Sequence, residues 1–171
     1  MSCLSVYHHS AEIPNKVLTH AEDIAATLAE QGIGFQAWHA RVPVVPGVSV
    51  EELLMAYDSH LEPWAQQAGA TQALSIDGGT GKDTGLDAEH SYPCASTNLF
   101  VAGRAVIYLH VGDYVFAVLC EKGDLLKVPA GVAHWLDLGD HPRLALIRVF
   151  AGDAQASLTG NDIANRFCAD L

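Results

Sequence analysis

The feature that most constrains the fold is a series of short apolar runs between residues 98 and 150. Each run is rich in β-branched and aromatic residues, as strands are. The sequences that separate the runs are AGR, VGD, EKGD, PAG and GDHP, in which glycine, proline and aspartate favour turns. Several short strands at this spacing predict a closed barrel or a jelly roll.

Two helices are expected before this region. THAEDIAATLAEQG places Glu22 three residues after Thr19, which is the pattern of a capping box. SVEELLMAYDSHLEPWAQQAG repeats the pattern with Ser49 and Glu52, followed by apolar residues at helical spacing. Pro63 lies inside this second segment and predicts a kink or a break there.

The length of 171 residues predicts a single domain, residues 1–171. Its expected parts are an N-terminal region of helices and strands at about 1–76, a barrel core at about 89–150 and a tail at 151–171. The polar, glycine-rich sequence DGGTGKDTGLDA connects the first two parts, and GFQAWHARV alternates as a strand would. The expected fold class is mostly β with flanking helices.

Charge and composition limit the classes of partner that the chain is expected to bind. The formal net charge is −11, and nine Lys and Arg residues are scattered along the chain, so no nucleic-acid partner is expected. No apolar run approaches the roughly eighteen residues of a membrane span. The N-terminus does not resemble a signal peptide and the four cysteines form no CxxC pair, so we expect reduced thiols in the cytoplasm. The expected partner is a small-molecule substrate; the oligomeric state stays open.

A spaced set of residues after position 120 matches the second motif of the cupin superfamily. It consists of Gly123, Pro129, Gly131 and His134. A strand followed by a sharp Pro-Gly turn would direct His134 back into the mouth of a small barrel. Because four residues stand at the spacings of the motif, the match is specific.

The first cupin motif places ligands at alternate positions of a strand, so that they face the same side. Counting seven residues back from Gly103 gives Ser96, four more give Tyr92 and two more give His90. The motif has glutamate at the first of these positions and histidine at the other two. This half of the chain therefore keeps one ligand of three.

Longer segments resemble the acireductone dioxygenases, a family within the cupins. They are EHSYPCASTNLFVAGR, YLHVGDYVFAVLCEKGDLLKVPAGVAHWLDLG, ALIRVF and LTGNDIA, and HAEDIAATLAEQGIGFQAW is also similar. The resemblance implies a cupin double-stranded β-helix, a jelly-roll barrel, over nearly the whole chain. It also implies an enzyme that holds Fe(II) or Ni(II) with three histidines and one glutamate and splits an acireductone with O2.

The resemblance can be carried over by position. His90 and His134 match metal ligands, whereas Tyr92 and Ser96 stand at the other two ligand positions. Asn98 stands where the family has an arginine that helps to position the substrate. The resemblance therefore implies a pocket with two of its four ligands replaced.

Arg148 matches a second arginine near the family's pocket. It lies in LALIRVF, which has no other charge. Burying an unpaired guanidinium is costly, so we expect it to meet an anion, a carbonyl or a carboxylate. Two roles stay open, a structural ion pair with Asp137 or another acid, and a contact with substrate.

No cofactor is expected from this ligand set. Two histidines and a carboxylate are the common minimum for a non-haem iron site, and serine cannot replace the charge of glutamate. Tyr92 could bind a metal only as a phenolate, which its reference pKa near ~10 makes costly. If Fe(II) or Ni(II) is bound, the expected ligands are His90 and His134, with Cys94 as a further candidate on the face of His90.

The sequence therefore predicts a repurposed enzyme on the acireductone dioxygenase scaffold that works without O2. The expected chemistry is isomerisation, cyclisation, elimination or hydrolysis of a small oxygenated compound, in specialised metabolism. The expected catalytic residues are His90, Tyr92, His134 and Arg148, and the expected substrate contacts are Cys94, Ser96, Asn98 and Phe100.

Two alternatives stay open. One is an acireductone dioxygenase with a rebuilt iron or nickel site. The other is a non-catalytic cupin that binds a small ligand.

Overall fold

A computed structural model describes residues 1–62, 64 and 69–171 of the chain. Two α-helices and eleven strands occur within these residues. They are β1 (Cys3–His8), β2 (Lys16–Leu18), α1 (Ala21–Ala29), β3 (Gly34–Ala37), α2 (Val50–Tyr57), β4 (Ala70–Asp77), β5 (His90–Ser91), β6 (Ser96–Val111), β7 (Tyr114–Glu121), β8 (Asp124–Val128), β9 (Ala133–Asp137), β10 (Arg143–Phe150) and β11 (Ser157–Leu158).

The strands form two antiparallel layers that share one long strand, β6. The first layer has the order β11-β5-β9-β6-β7-β1-β2 and the second has the order β4-β10-β6-β8-β3. Residues 96–103 of β6 pair within the second layer, and residues 104–111 pair within the first. The predicted fold class, mostly β with flanking helices in a cupin jelly roll, is confirmed.

Gly103 lies where β6 passes from one layer to the other. Its φ is +75°, a conformation that side chains disfavour, and a Cβ there would overlap the carbonyl oxygen of Arg143 on β10. Only glycine lets the two backbones approach so closely. The glycine that sets the spacing of the first cupin motif is therefore required by packing.

Three apolar clusters within the described part of the chain stabilise the layers. The largest contains Ile24 and Leu28 of α1 together with Phe100 on β6. A second places Leu53 and Tyr57 of α2 against residues of β6, β8 and β10. The third places the C-terminal tail against Tyr108, Trp135 and neighbours on the first layer. Burial of these faces, at about 25 cal/mol per Å² of apolar surface, drives the layers together.

The helix starts are partly as predicted. Ser49 caps α2 by accepting a hydrogen bond from the backbone N–H of Glu52 (3.1 Å). The predicted cap at Thr19 is wrong, because α1 has His20 as its N-cap residue with no side-chain cap. α2 ends at Tyr57 and continues as a 3-10 turn, Asp58–His60. The predicted break at Pro63 lies outside the described residues.

Several strands of the N-terminal half pair with strands of the barrel. β1 pairs with β7, β3 with β8 and β4 with β10. The expected strand in GFQAWHARV is shorter than predicted, since β3 ends at Ala37 and the N–H of Trp38 turns to the carbonyl of Gly123 (2.9 Å). Among the described residues, no helix is long and apolar enough to cross a membrane.

Replacing Gly103 with alanine tests the close approach of β6 and β10. We expect Gly103→Ala to lower the free energy of unfolding by about 3 kcal/mol or more, because it adds a backbone overlap to an unfavourable φ. Gly112→Ala is the matched control, since Gly112 also has a positive φ (+59°) but open space around its Cβ. Urea unfolding should give the control a loss of only about 1 kcal/mol. Equal losses in the two variants would contradict this role for Gly103.

Candidate functional site

The site is built around two histidines that the sheet places opposite each other. His90 on β5 pairs in register with His134 on β9, and their ring centroids lie 4.7 Å apart. Both side chains are almost fully buried, at 2% and 5% exposure. The motif positions at residues 90 and 134 therefore converge as the sequence predicts.

Hydrogen bonds to the backbone fix the tautomer of each ring. Nδ1 of His90 lies 2.7 Å from the carbonyl oxygen of Ala88, and Nδ1 of His134 lies 2.8 Å from that of Val132. A carbonyl oxygen only accepts, so each neutral ring carries its proton on Nδ1 and leaves a lone pair on Nε2. Both Nε2 atoms are buried and have no hydrogen-bond partner in the described part of the chain.

Burial keeps these imidazoles neutral. The pKa of His134 is lowered to about 3; desolvation is the largest cause, and the proximity of His90 and Arg148 acts in the same direction. Desolvation also lowers the pKa of His90, with the Arg148 charge contributing in the same direction. The neutral form is the form of imidazole that binds metal ions.

A buried polar chain lies beside the histidines. Nε of Arg148 on β10 donates to Oδ1 of Asn98 on β6 (3.3 Å). Asn98 in turn donates from Nδ2 to Oγ of Ser96 (3.3 Å) and to the carbonyl oxygen of Leu126 (3.1 Å). Asn98 is therefore fixed by the fold and orients the guanidinium.

Arg148 has no carboxylate partner among the described residues. The expected alternative of an ion pair with Asp137 is wrong, since the two oxygens of Asp137 accept the backbone N–H groups of Gly139 and Ala169. The guanidinium instead lies over the rings of Tyr92 (5.3 Å to the centroid) and Phe150 (5.0 Å). Cation–π contact compensates only part of the cost of burying a charge.

A small cavity joins the two histidines to the polar chain. Its volume is about 10 Å³, room for roughly one water-sized particle. Its lining consists of Leu86, His90, Asn98, Ile107, His134, Trp135, Leu136, Leu146 and Arg148. A larger cavity of about 430 Å³ outside it shares Trp135 and Leu136 with this lining. These two residues therefore stand between the histidines and the surface.

Tyr92 and Ser96 lie next to the cavity without lining it. The ring of Tyr92 is 5.3 Å from that of His90 and 5.7 Å from that of His134. Ser96 is fully buried and reaches the site through its hydrogen bond to Asn98. Both positions are therefore close to the imidazoles, and their catalytic and binding roles stay predictions.

Two predicted substrate contacts lie elsewhere. Cys94 Sγ donates to the carbonyl oxygen of Asp153 (3.2 Å) and does not line the cavity. Strand alternation does not apply at Cys94, because β5 ends at Ser91 and β6 begins at Ser96. Phe100 is fully buried in the largest apolar cluster. The structure therefore corrects the expectation that these two side chains face the pocket.

Sequence reasoning missed a buried carboxylate beside the site. Glu89 is 3% exposed, and its two oxygens lie 2.8 Å from Nδ1 of His110 and 2.6 Å from Oγ1 of Thr159. The Thr159 N–H also donates to the Glu89 carbonyl, and the preceding strand β11 pairs with β5. Glu89 thus ties the C-terminal segment to the strand of His90. The only signal in the sequence was the position of Glu89, an acidic residue directly before the candidate metal ligand His90.

The two histidines fit a single bound metal ion. The residues His90 and His134 line one cavity with room for about one water molecule or ion, and their Nε2 atoms are buried and unpartnered. Each ring is oriented by a hydrogen bond from Nδ1, as in most metal-binding histidines. The remaining protein ligands are missing: within residues 1–62, 64 and 69–171, no group of three or more His, Cys, Asp or Glu side chains could hold an ion. A set of His90, His134 and Cys94 is therefore wrong.

The jelly roll and its converging histidines define the chain as a cupin. The model of the ARD/ARD' family matches residues 6–157. The chain belongs to this family, as the resemblance in its sequence implies.

Named relatives cover almost the full chain. Acireductone dioxygenases of Pseudomonas fluorescens and Pseudomonas syringae pv. syringae are 47% and 45% identical to it, over 98% of this chain and 97% of theirs. A solved acireductone dioxygenase from Bacillus anthracis with a cadmium ion in its active centre has the same fold. Its TM-score is 0.70 at 19% identity, covering 91% of this chain and 95% of that one.

These relatives overturn the predicted function. The prediction of a repurposed enzyme that works without O2 is wrong, because chains 42–47% identical over 98% of this one carry the name of a dioxygenase. That prediction gave three altered pocket positions more weight than the remainder of the chain. The alternative of an acireductone dioxygenase with a rebuilt metal site agrees better with the relatives.

The lowered pKa of His134 predicts acid sensitivity of the metal-free protein. Between pH 6.5 and about 3, the unfolded chain binds a proton at this ring and the folded chain does not, so stability falls as the pH falls. Replacing the ring by His134→Asn should reduce the loss of unfolding free energy between pH 6.5 and pH 5 by about 2 kcal/mol. Urea unfolding at both pH values measures it.

The control for that experiment is His39→Asn, at an exposed position away from the cavity. It should leave the acid sensitivity as in the wild type. An undiminished loss in His134→Asn would contradict a neutral, buried His134.

Removing the hydroxyl of Thr159 tests the connection through Glu89. We expect Thr159→Val to lower the free energy of unfolding by about 1–3 kcal/mol, because it leaves a buried carboxylate oxygen without a donor. Amide hydrogen exchange at His90 and Ser91 should also become faster. Thr159→Ser keeps the donor and should restore most of both properties. Loss of stability in Thr159→Ser equal to that in Thr159→Val would argue against the hydrogen bond.

Proposed function

We propose that this protein is an acireductone dioxygenase, which splits an enediol-ketone with O2. The observation that supports it best is the pair of buried, unpartnered Nε2 atoms of His90 and His134 beside Arg148. The names of relatives that match it over 98% of its length support the same reaction.

His90 and His134 would hold the metal ion, Fe(II) or Ni(II), which the family resemblance implies. When bound, such an ion supplies Lewis acidity to an oxygen-rich substrate and open positions for its ligands. The cadmium ion in the active centre of the Bacillus anthracis protein supports a metal-dependent reaction. Both imidazoles stay neutral and need not lose a proton to bind.

Arg148 and Asn98 would position the substrate. The guanidinium is buried, oriented through its Nε by Asn98, and free of carboxylate partners in the described chain. A guanidinium in this state favours an anionic enediolate oxygen, because the anion compensates its desolvation. Arg148, Asn98 and the two histidines line the same cavity, so the substrate oxygens and the imidazoles would share one small space.

The apolar lining would exclude water from the reaction. Leu86, Ile107, Leu136 and Leu146 surround the cavity between the imidazoles and the guanidinium. The cavity holds about one water-sized particle, so a substrate must displace part of this wall to reach the histidines. We infer that it comes from the larger cavity, through the part of the wall that contains Trp135 and Leu136.

We also propose that the protein works in the cytoplasm on a small molecule, without nucleic acid or membrane. All four of its cysteines are free thiols, which agrees with a reducing compartment. The acidic balance of the chain, at −11, agrees with the absence of a nucleic-acid partner.

Loading the purified protein with Fe(II) or Ni(II) tests the proposed function. We expect O2-dependent loss of an acireductone, followed by its ultraviolet absorbance and by oxygen uptake, and no loss after chelation. His90→Ala and His134→Ala should both reduce the rate by at least about a hundredfold, because each removes half of the protein ligands. His39→Ala, at an exposed position, should match the wild type.

Replacing Arg148 tests substrate positioning in the same assay. Arg148→Gln should raise KM for the acireductone about tenfold or more, since it removes the charge that meets the substrate. Arg148→Lys keeps the charge and should recover part of the affinity. If the loaded wild type consumes no acireductone, the proposed function is wrong and a non-catalytic ligand-binding cupin takes its place.

A further inference from the structure

The charges around the two histidines carry an inference that rests on the proposed function and deepens it. We propose that a divalent metal ion and a chelating oxyanion bind to this site cooperatively, each weakly without the other. The anion thereby supplies the negative charge that the protein side chains do not.

The first support is the charge of the site before anything binds. Arg148 is 5% exposed and carries a positive charge with no carboxylate partner in the described ranges. His90 and His134 are neutral ligands with their lone pairs turned to the same cavity. A divalent ion held by these two rings alone would bring the total charge of the ion and the cavity-lining side chains to about +3, which low-dielectric surroundings make costly.

The carboxylate of Glu89 does not line the cavity and is not available as a ligand. Glu89 precedes His90 in the chain, but its two carboxylate oxygens contact His110 and Thr159. Ser96 and Asn98, which lie on the Arg148 side, are neutral and hydrogen bonded to each other. Over the described residues, no third His, Cys, Asp or Glu joins His90 and His134 in a group that could hold an ion.

A chelating oxyanion would supply both the missing metal ligands and the missing negative charge. Its oxygens can complete the coordination that two histidines leave open and can accept from the guanidinium of Arg148. An enediolate, the chemical class of the proposed substrate, has two adjacent oxygens and negative charge. The ion and the anion then stabilise each other, and by linkage each must raise the affinity for the other by the same factor.

Equilibrium dialysis of Ni2+ against the metal-free protein tests this inference, with oxalate as a redox-inert chelating dianion. Protein-bound nickel is measured at matched free Ni2+ concentrations, so that complexes in the buffer do not enter the comparison. We expect oxalate to lower the apparent Kd for Ni2+ by at least about tenfold. Sulfate at the same ionic strength, a dianion with poor chelating ability, should lower it much less.

Two variants assign the effect to Arg148. Arg148→Gln removes the buried positive charge, so Ni2+ alone should bind more tightly than to the wild type and the oxalate factor should decrease. Arg104→Gln is the matched control at an exposed position of β6, and should behave as the wild type. His90→Ala and His134→Ala should abolish nickel retention in both buffers, which places the ion at the imidazoles.

The outcomes separate this inference from the proposed function. Equal Ni2+ affinity with and without oxalate overturns the cooperative site, whereas turnover of an acireductone by the same preparation would leave the proposed function in place. Cooperative binding in a preparation that consumes no acireductone supports the site and overturns the proposed function. If nickel is retained in neither buffer, the inference is overturned and the proposed metal ligands with it.

Discussion

The site depends on the hydrogen bonds that the two imidazoles donate to backbone carbonyls. Burial alone would leave His90 and His134 free to present either nitrogen, but the carbonyls of Ala88 and Val132 hold the proton on Nδ1 in each ring. Because each carbonyl lies two residues before its histidine in the chain, the orientation is set by the local backbone and needs no further side chain. The two lone pairs on Nε2 follow from it, and so does every metal-dependent property proposed for this protein.

The balance of charge distinguishes this site from its family's pattern. The resemblance implies a pocket with a glutamate among its ligands, and Ser96 stands at that position here. Arg148 is retained, and it keeps a positive charge in a buried space without a fixed anion beside it. Electrostatic cost in such surroundings falls most when an anion arrives with the cation. Negative charge that a carboxylate supplies permanently would here arrive only with a ligand.

Much of the fold could be predicted from local sequence. The turn sequences between residues 98 and 150 mark the barrel strands, and Gly103 and His134 follow the cupin spacing because packing and strand alternation require it. The prediction of a cap at Thr19 was wrong by one residue, because His20 takes the N-cap position in the structure. β1 was missed because it is stabilised by pairing with β7, more than a hundred residues away, which no local pattern records.

The two histidines of the site were predictable from the spacing of the cupin motifs. His90 and His134 converge as expected, whereas Cys94 lies between β5 and β6, where the chain leaves the strand conformation. Glu89 was overlooked because its role depends on Thr159, which is distant in sequence. The predicted function was wrong because it relied on a few altered pocket positions. Similarity over the whole chain agrees instead with the acireductone dioxygenases.

The sharing of β6 by both layers has a mechanical consequence. Its first half carries Asn98, which holds Arg148, and its second half pairs Leu109 with His134. One continuous backbone therefore connects the two parts of the site through Gly103, where there is no room for a side chain. Any change in the bend of that strand alters the separation of guanidinium and imidazole, so the angle between the two layers sets the span that a ligand must bridge.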